Sequence, residues 1–168
     1  MFEEVDIMQS EGQILFGYSW TPSEGMVGRY YGEFSIDISL NGILFYKTYV
    51  FPHEERFSEE IKIPENTINE IKDILRSNYS NIEMLDEYIE NGSRDGMGNK
   101  FFFGGKKIIT WNIDRRNEEE IMSRNPNYYE RYKKVIQQEN SILDIFEQIV
   151  SVLRKEGIKL ELYEVSFK

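Results

Sequence analysis

No cysteine and no alanine occur among the 168 residues of this chain, and histidine occurs once. Without cysteine there can be no disulfide, no thiolate nucleophile and no Cys-ligated zinc or iron–sulfur centre. With His53 as the single histidine, paired-histidine zinc motifs are excluded as well. A Ser-His-Asp triad would have to use His53, which stands in the polar turn Pro52-His53-Glu54-Glu55 with no nucleophile-elbow sequence anywhere in the chain. His53 therefore reads as a surface residue. Also missing is any apolar run approaching the ~18 residues of a membrane span. The opening MFEEVDIM is acidic and lacks the basic flank and apolar stretch of a secretory signal, so the expected location is the cytoplasm. The lack of alanine beside abundant Ile, Lys, Glu and Asn reads as the codon bias expected of an AT-rich, bacterial genome and not as a structural message.

Basic residues are also in deficit. Twenty Lys and Arg face 30 Asp and Glu, for a net charge of -10. Such a field repels nucleic acid and anionic membranes and attracts basic partners, besides keeping a protein in solution. Apolar residues at 40% and charged residues at 30% are a globular balance. The length fits one domain at a prior of ~150 residues. The 11 Tyr and 11 Phe supply core material and contact material alike. Trp20 and Trp111 are read as core residues.

The order of elements follows from periodicity and punctuation. Gln13 to Thr21 reads as a strand, and 22–28 as a Pro/Gly loop. Arg29 to Leu40 alternates as a half-buried strand, joined through Asn41-Gly42 to a strand over Ile43 to Phe51, a strong hairpin signal. Phe57 to Ile63 is a weaker strand. Pro64 starts a helix whose stripe is Ile68, Ile71, Ile74 and Leu75, with Thr67 and Glu70 at capping-box spacing. A second helix is expected from Asn81 to Asn91-Gly92, with Ile82, Leu85 and Ile89 on one side. A second hairpin pairs Lys100–Phe103 with Lys106–Trp111 across Gly104-Gly105. Asp114 or Asn117 caps a short helix opening with three glutamates. Asn125-Pro126 opens the longest helix, which runs to about Glu156 and is stopped by Gly157. A final strand is expected from Ile158 to Phe167. No βαβ repeat occurs, so the expected class is α+β: a single domain, 1–168, with a mostly antiparallel sheet of hairpins packed on one face by helices.

On the long helix the apolar row Tyr128, Tyr132, Val135, Ile142, Phe146, Ile149, Leu153 passes through Glu139. A carboxylate in such a row either sits in a cleft with a raised pKa or pairs with a cation where the helix overhangs the sheet edge. The second is the simpler expectation. The loop from Asn91 to Gly96 begins like a calcium loop, but Phe102 stands where a bidentate Glu is required. The glycines at 96, 98, 104 and 105 match neither a P-loop nor GxGxxG, and read as turns. Neither a metal nor a cofactor is expected.

With its length, acidity and α+β pattern around the segment DGMGNKFFFGGKKIITWNI, the chain resembles the small acidic cytoplasmic immunity proteins that bacteria make against their own toxins. The resemblance lies in overall make-up, so no functional residue is carried over. It implies a non-enzymatic protein that binds and neutralises a basic toxin, such as a nuclease, as a monomer or homodimer. Candidate contact acids are Glu54, Glu55, Glu59 and Glu60; Asp86, Glu87 and Glu90; and Glu118, Glu119 and Glu120. The alternative is a small-molecule binder or hydrolase-type enzyme with carboxylates Asp95, Asp114 and Glu139 near the Gly-rich loop. A third possibility is a subunit that self-associates along the long helix.

Overall fold

The computed structural model describes residues 14–22, 34–50, 54–92 and 97–158, without the side chains of 20–22, 34, 46, 48–50, 54–57 and 97. The expected final strand after Ile158, residues 29–33 of the second strand and Asp95 lie outside the described residues. Six strands form one antiparallel sheet: β1 (Ile14–Pro22), β2 (Phe34–Ser39), β3 (Ile43–Val50), β4 (Glu54–Lys62), β5 (Met97–Phe103) and β6 (Lys106–Trp111), in the order β4-β3-β2-β1-β5-β6. The helices are α1 (Glu65–Ser77), α2 (Tyr79–Met84), α3 (Glu118–Arg124) and α4 (Pro126–Lys155). This is the expected α+β arrangement, with four strands, two helices, a hairpin and two further helices in chain order.

The β2–β3 hairpin forms where Asn41-Gly42 predicts it, but through three loop residues, Leu40, Asn41 and Gly42. Ile38 pairs with Leu44, and Gly42 alone takes a positive φ, of 84°. A type I turn closed by a left-handed glycine has this shape. Gly42 also accepts the Ile63 amide at 2.7 Å, and a Cβ there would lie 3.3 Å from the Ile63 carbonyl oxygen. The second hairpin is the two-residue form: Phe103 pairs with Lys106, and Gly104 and Gly105 have φ of 56° and 96°.

One face of the sheet carries Phe16, Tyr18, Ile36, Ile38, Leu44, Phe101, Phe103 and Ile108, all buried. Onto it α4 presents Phe146, whose ring meets Tyr18 at 4.7 Å, Phe101 at 5.5 Å and Phe16 at 5.8 Å between centroids. Ile68, Ile71 and Leu75 of α1 join this core. The opposite face includes Asp37, Phe45, Phe102, Ile109 and Trp111, each partly covered. Gly17 belongs to that face, where a Cβ would come within 2.8 Å of Asp37 Oδ1. Burial pushes the Asp37 carboxyl up, against the lowering charges of Lys100 and Lys47.

Several boundaries differ from the sequence reading. β4 begins at Glu54, three residues before the expected Phe57. Thr67 is not a cap: α1 starts after Pro64, and the Thr67 side chain is fully buried inside the first turn. Asn117, rather than Asp114, caps α3, accepting from the Glu120 amide at 3.0 Å. Asn125 caps α4 by accepting from the Tyr128 amide at 3.1 Å, with Pro126 just behind it.

The largest correction concerns the second helix. It ends at Met84, and residues 85–90 form a strap that bends at Leu85 and Glu87 and makes one bridge to the sheet at Tyr88. This strap lies parallel to β6: the Ile109 amide donates to Glu87 O at 2.8 Å, and the Ile89 amide to Ile109 O at 2.9 Å. Leu85 and Ile89 are buried, as a helix would also have buried them. The strap wins because β6 is otherwise an edge with unpaired backbone groups, which an extended neighbour satisfies and a helix cannot.

Candidate functional site

Glu139 is not the edge ion pair expected of it: its side chain has no solvent exposure. It lies mid-helix on α4, beneath the turn that leaves β6 and beside the end of the strap. Asn91 Nδ2 donates to Glu139 Oε1 at 2.7 Å and also to the Trp111 carbonyl at 2.5 Å. Arg116 Nε donates to Glu139 Oε2 at 3.2 Å. Arg116 is itself held by its backbone, since Asn140 accepts its amide and donates to its carbonyl, both at 2.9 Å. Three segments distant in sequence thus converge on one carboxylate. Burial pushes the Glu139 carboxyl up, opposed by the Asn91 hydrogen bond and by the charge and hydrogen bond of Arg116, while nearby Asp114 raises it further.

The turn between β6 and α3 sends Ile113 into the core and is bent at Asn112, which has φ 46°. Asn residues tolerate this conformation better than most. Asn99, buried on β5, accepts the Ile113 amide at 3.3 Å. Further along, Arg115 pairs with Asp144 at 2.7 Å and Glu147 at 3.1 Å on α4. The turn is thereby tied to the helix by two consecutive arginines, one reaching a buried acid and one reaching exposed acids.

Asp114 and Glu139 are therefore neighbours, as the pocket alternative requires. Yet Glu139 has both oxygens engaged and no water-facing atom, and Asp114 is exposed. The Glu139 carboxylate joins segments of the fold, while Asp114 stands exposed beside it. Among the described residues no group of three or more His, Asp or Glu side chains is placed to hold a metal ion. No helix there is long and apolar enough to cross a membrane.

The candidate contact acids fall into separate places. Glu59 and Glu60 are exposed on β4; the side chains of Glu54 and Glu55 are not described. Asp86, Glu87 and Glu90 lie on the strap at the other end of the sheet. Six inter-strand steps of ~4.8 Å put roughly 29 Å between the two groups. Glu119 and Glu120 are exposed on α3, Glu120 pairing with Arg124 at 2.9 Å, while Glu118 is half-buried with Oε1 unpartnered. Asp86 is taken up internally: Gln138 Nε2 donates to it at 3.1 Å, Lys134 Nζ lies 3.1 Å away, and its own amide donates to Gln138 Oε1 at 2.7 Å. The Gln138 hydrogen bond, then Lys134, hold its carboxyl below the usual range.

Two features were not singled out from sequence. Gln138 is buried on α4 and fastens the strap, and Tyr88 is half exposed with its hydroxyl accepting from Trp111 Nε1 at 3.3 Å. Gln138 lies beside the apolar row next to Glu139, so the polar run 137–140 interrupting a buried helix face was a signal available in sequence. No protein-family model matches the chain, and the comparison with curated proteins found no match.

Proposed function

We propose that this protein is a non-enzymatic binding protein that neutralises a basic protein partner, in the manner of an immunity protein against a toxin. The observation that carries the reading is how its acids are used. Two of the candidate carboxylates, Glu139 and Asp86, are bonded within the fold. Glu59, Glu60, Glu87, Glu90 and Glu119 are exposed, with no ion pair among the described residues. In a chain of net charge -10, that leaves acidity displayed at the surface, where it raises association rate and discriminates between partners. Tagged protein incubated with lysate of its source organism should retain one basic protein near one-to-one, released as salt is raised, and that protein should lose its toxicity when the chain is added in equal amount. Recovery of the chain alone at low salt would refute the proposal.

A further inference from the structure

The exposed apolar side chains of the described residues are unevenly placed. Met84 is 78% exposed and Tyr88 51%, and both belong to the end of α2 and the strap that follows. Neither exposure is needed by the fold, which buries Leu85 and Ile89 of the same segment. Tyr88 pairs laterally with Ile109 of β6, and its hydroxyl accepts from the indole of half-buried Trp111. The phenol ring is thus held in place at the sheet's edge. Glu87 and Glu90 flank it, both exposed and without an ion pair among the described residues. Cations bound the patch elsewhere: Lys134 and Lys106 act on Asp86, Lys107 is exposed on β6, and Lys100 lies across from Ile109.

We infer that the strap, through Met84, Glu87, Tyr88 and Glu90 with Trp111 behind, is the docking surface for an arginine-bearing surface segment of a basic protein. The inference rests on the basic-partner reading above and selects one acidic surface among several. The exposed Glu87 and Glu90, which have no ion pair among the described residues, choose the occupant, with the lysines around the patch confining it to these two acids and the ring. A guanidinium stacked on the Tyr88 ring gains cation–π attraction while its N–H groups reach Glu87 or Glu90. An aromatic anchor already fixed by a hydrogen bond loses little freedom on binding, and such tyrosines dominate interface energetics. Among the described residues, α3 has Met122, 48% exposed, beside its acids and no aromatic.

The test uses the full chain and a synthetic peptide of alternating arginine and leucine, titrated at low salt and followed by amide and indole NMR shifts. Shifts should concentrate on residues 84–90 and the Trp111 indole N–H. Tyr88→Ala should weaken binding about tenfold, Tyr88→Phe much less, and Glu59→Lys with Glu60→Lys little. A melting curve of Tyr88→Ala close to the parent's would confirm that the loss is one of contact. Shifts centred on β4 or α3, or spread over all acidic segments with Tyr88→Ala binding unchanged, would overturn the strap while leaving the basic-partner reading standing. No binding anywhere at low salt would overturn both.

Discussion

Glu139 and Arg116 are unequal partners. The carboxylate has no solvent contact, while 32% of the arginine side chain remains exposed. Removing the arginine leaves a buried charge with only Asn91 to answer it; removing the carboxylate charge leaves a guanidinium that water can reach. Arg116→Met should therefore cost about 2 kcal/mol near neutral pH, and Glu139→Gln about 1 kcal/mol or less. Denaturant midpoints compared side by side would measure this, and equal losses would contradict the asymmetry. The pH dependence has a definite sign. A carboxyl raised in the folded state binds its proton more tightly there than in the unfolded chain. Its contribution to stability is fully present below the ordinary glutamate range and is lost as pH rises through the folded value. Glu139→Gln should flatten that slope, and the Arg116→Met deficit should shrink in acid. The sequence placed Glu139 correctly on an apolar row but not its burial. Its bonding partners, Asn91 and Arg116, lie 48 and 23 residues away, and no local pattern reports a contact at that range.

At the level of elements, local signals worked wherever backbone conformation is locally decided. Asn41-Gly42, Gly104-Gly105, Asn117 and Asn125-Pro126 each mark a turn or helix start that exists. The strap was not legible for a matching reason. Leu85 and Ile89 are four apart, which suits one face of a helix; the strap buries the same two residues while bending at Leu85 and Glu87, so the spacing does not tell the two apart. The decision is made by β6, whose open edge needs partners. Gln138 anchors the strap by accepting the Asp86 amide and donating to its carboxylate. Gln138→Ala is expected to lose about 1 kcal/mol of global stability. It should also speed hydrogen exchange at the Ile89 and Ile109 amides well beyond that of β1–β2 amides. Uniform acceleration across the sheet would mean that the strap has no independent opening. The same change should let the Asp86 carboxyl rise toward its ordinary value, since the Gln138 bond is the first cause of its depression. Asp86 is partly exposed, so that rise is a marker of detachment and not a measure of energy.

For the molecule as a whole, the aromatic group of Phe16, Tyr18, Phe101, Phe103 and Phe146 joins the neighbouring strands β1 and β5 to the long helix. Phe146→Ala should cost about 3–5 kcal/mol, with Phe146→Leu appreciably milder, both read from chemical denaturation. A small loss for the alanine variant would mean that the sheet and α4 are held together by other contacts. The sheet's two ends are finished differently. β6 is covered by the strap, whereas among the described residues β4 has β3 as its one neighbour. Glu59 and Glu60 alternate across that strand, so each face of the edge carries a charge. Two copies pairing edge to edge in an antiparallel register centred on Glu59 and Glu60 would bring these carboxylates together, and their repulsion would oppose that pairing. The acids that seemed at first to be a place for a partner are thus suited to keeping identical chains from adding to one another as fibrils, a protection that concentrated salt would weaken and dilute buffer would preserve.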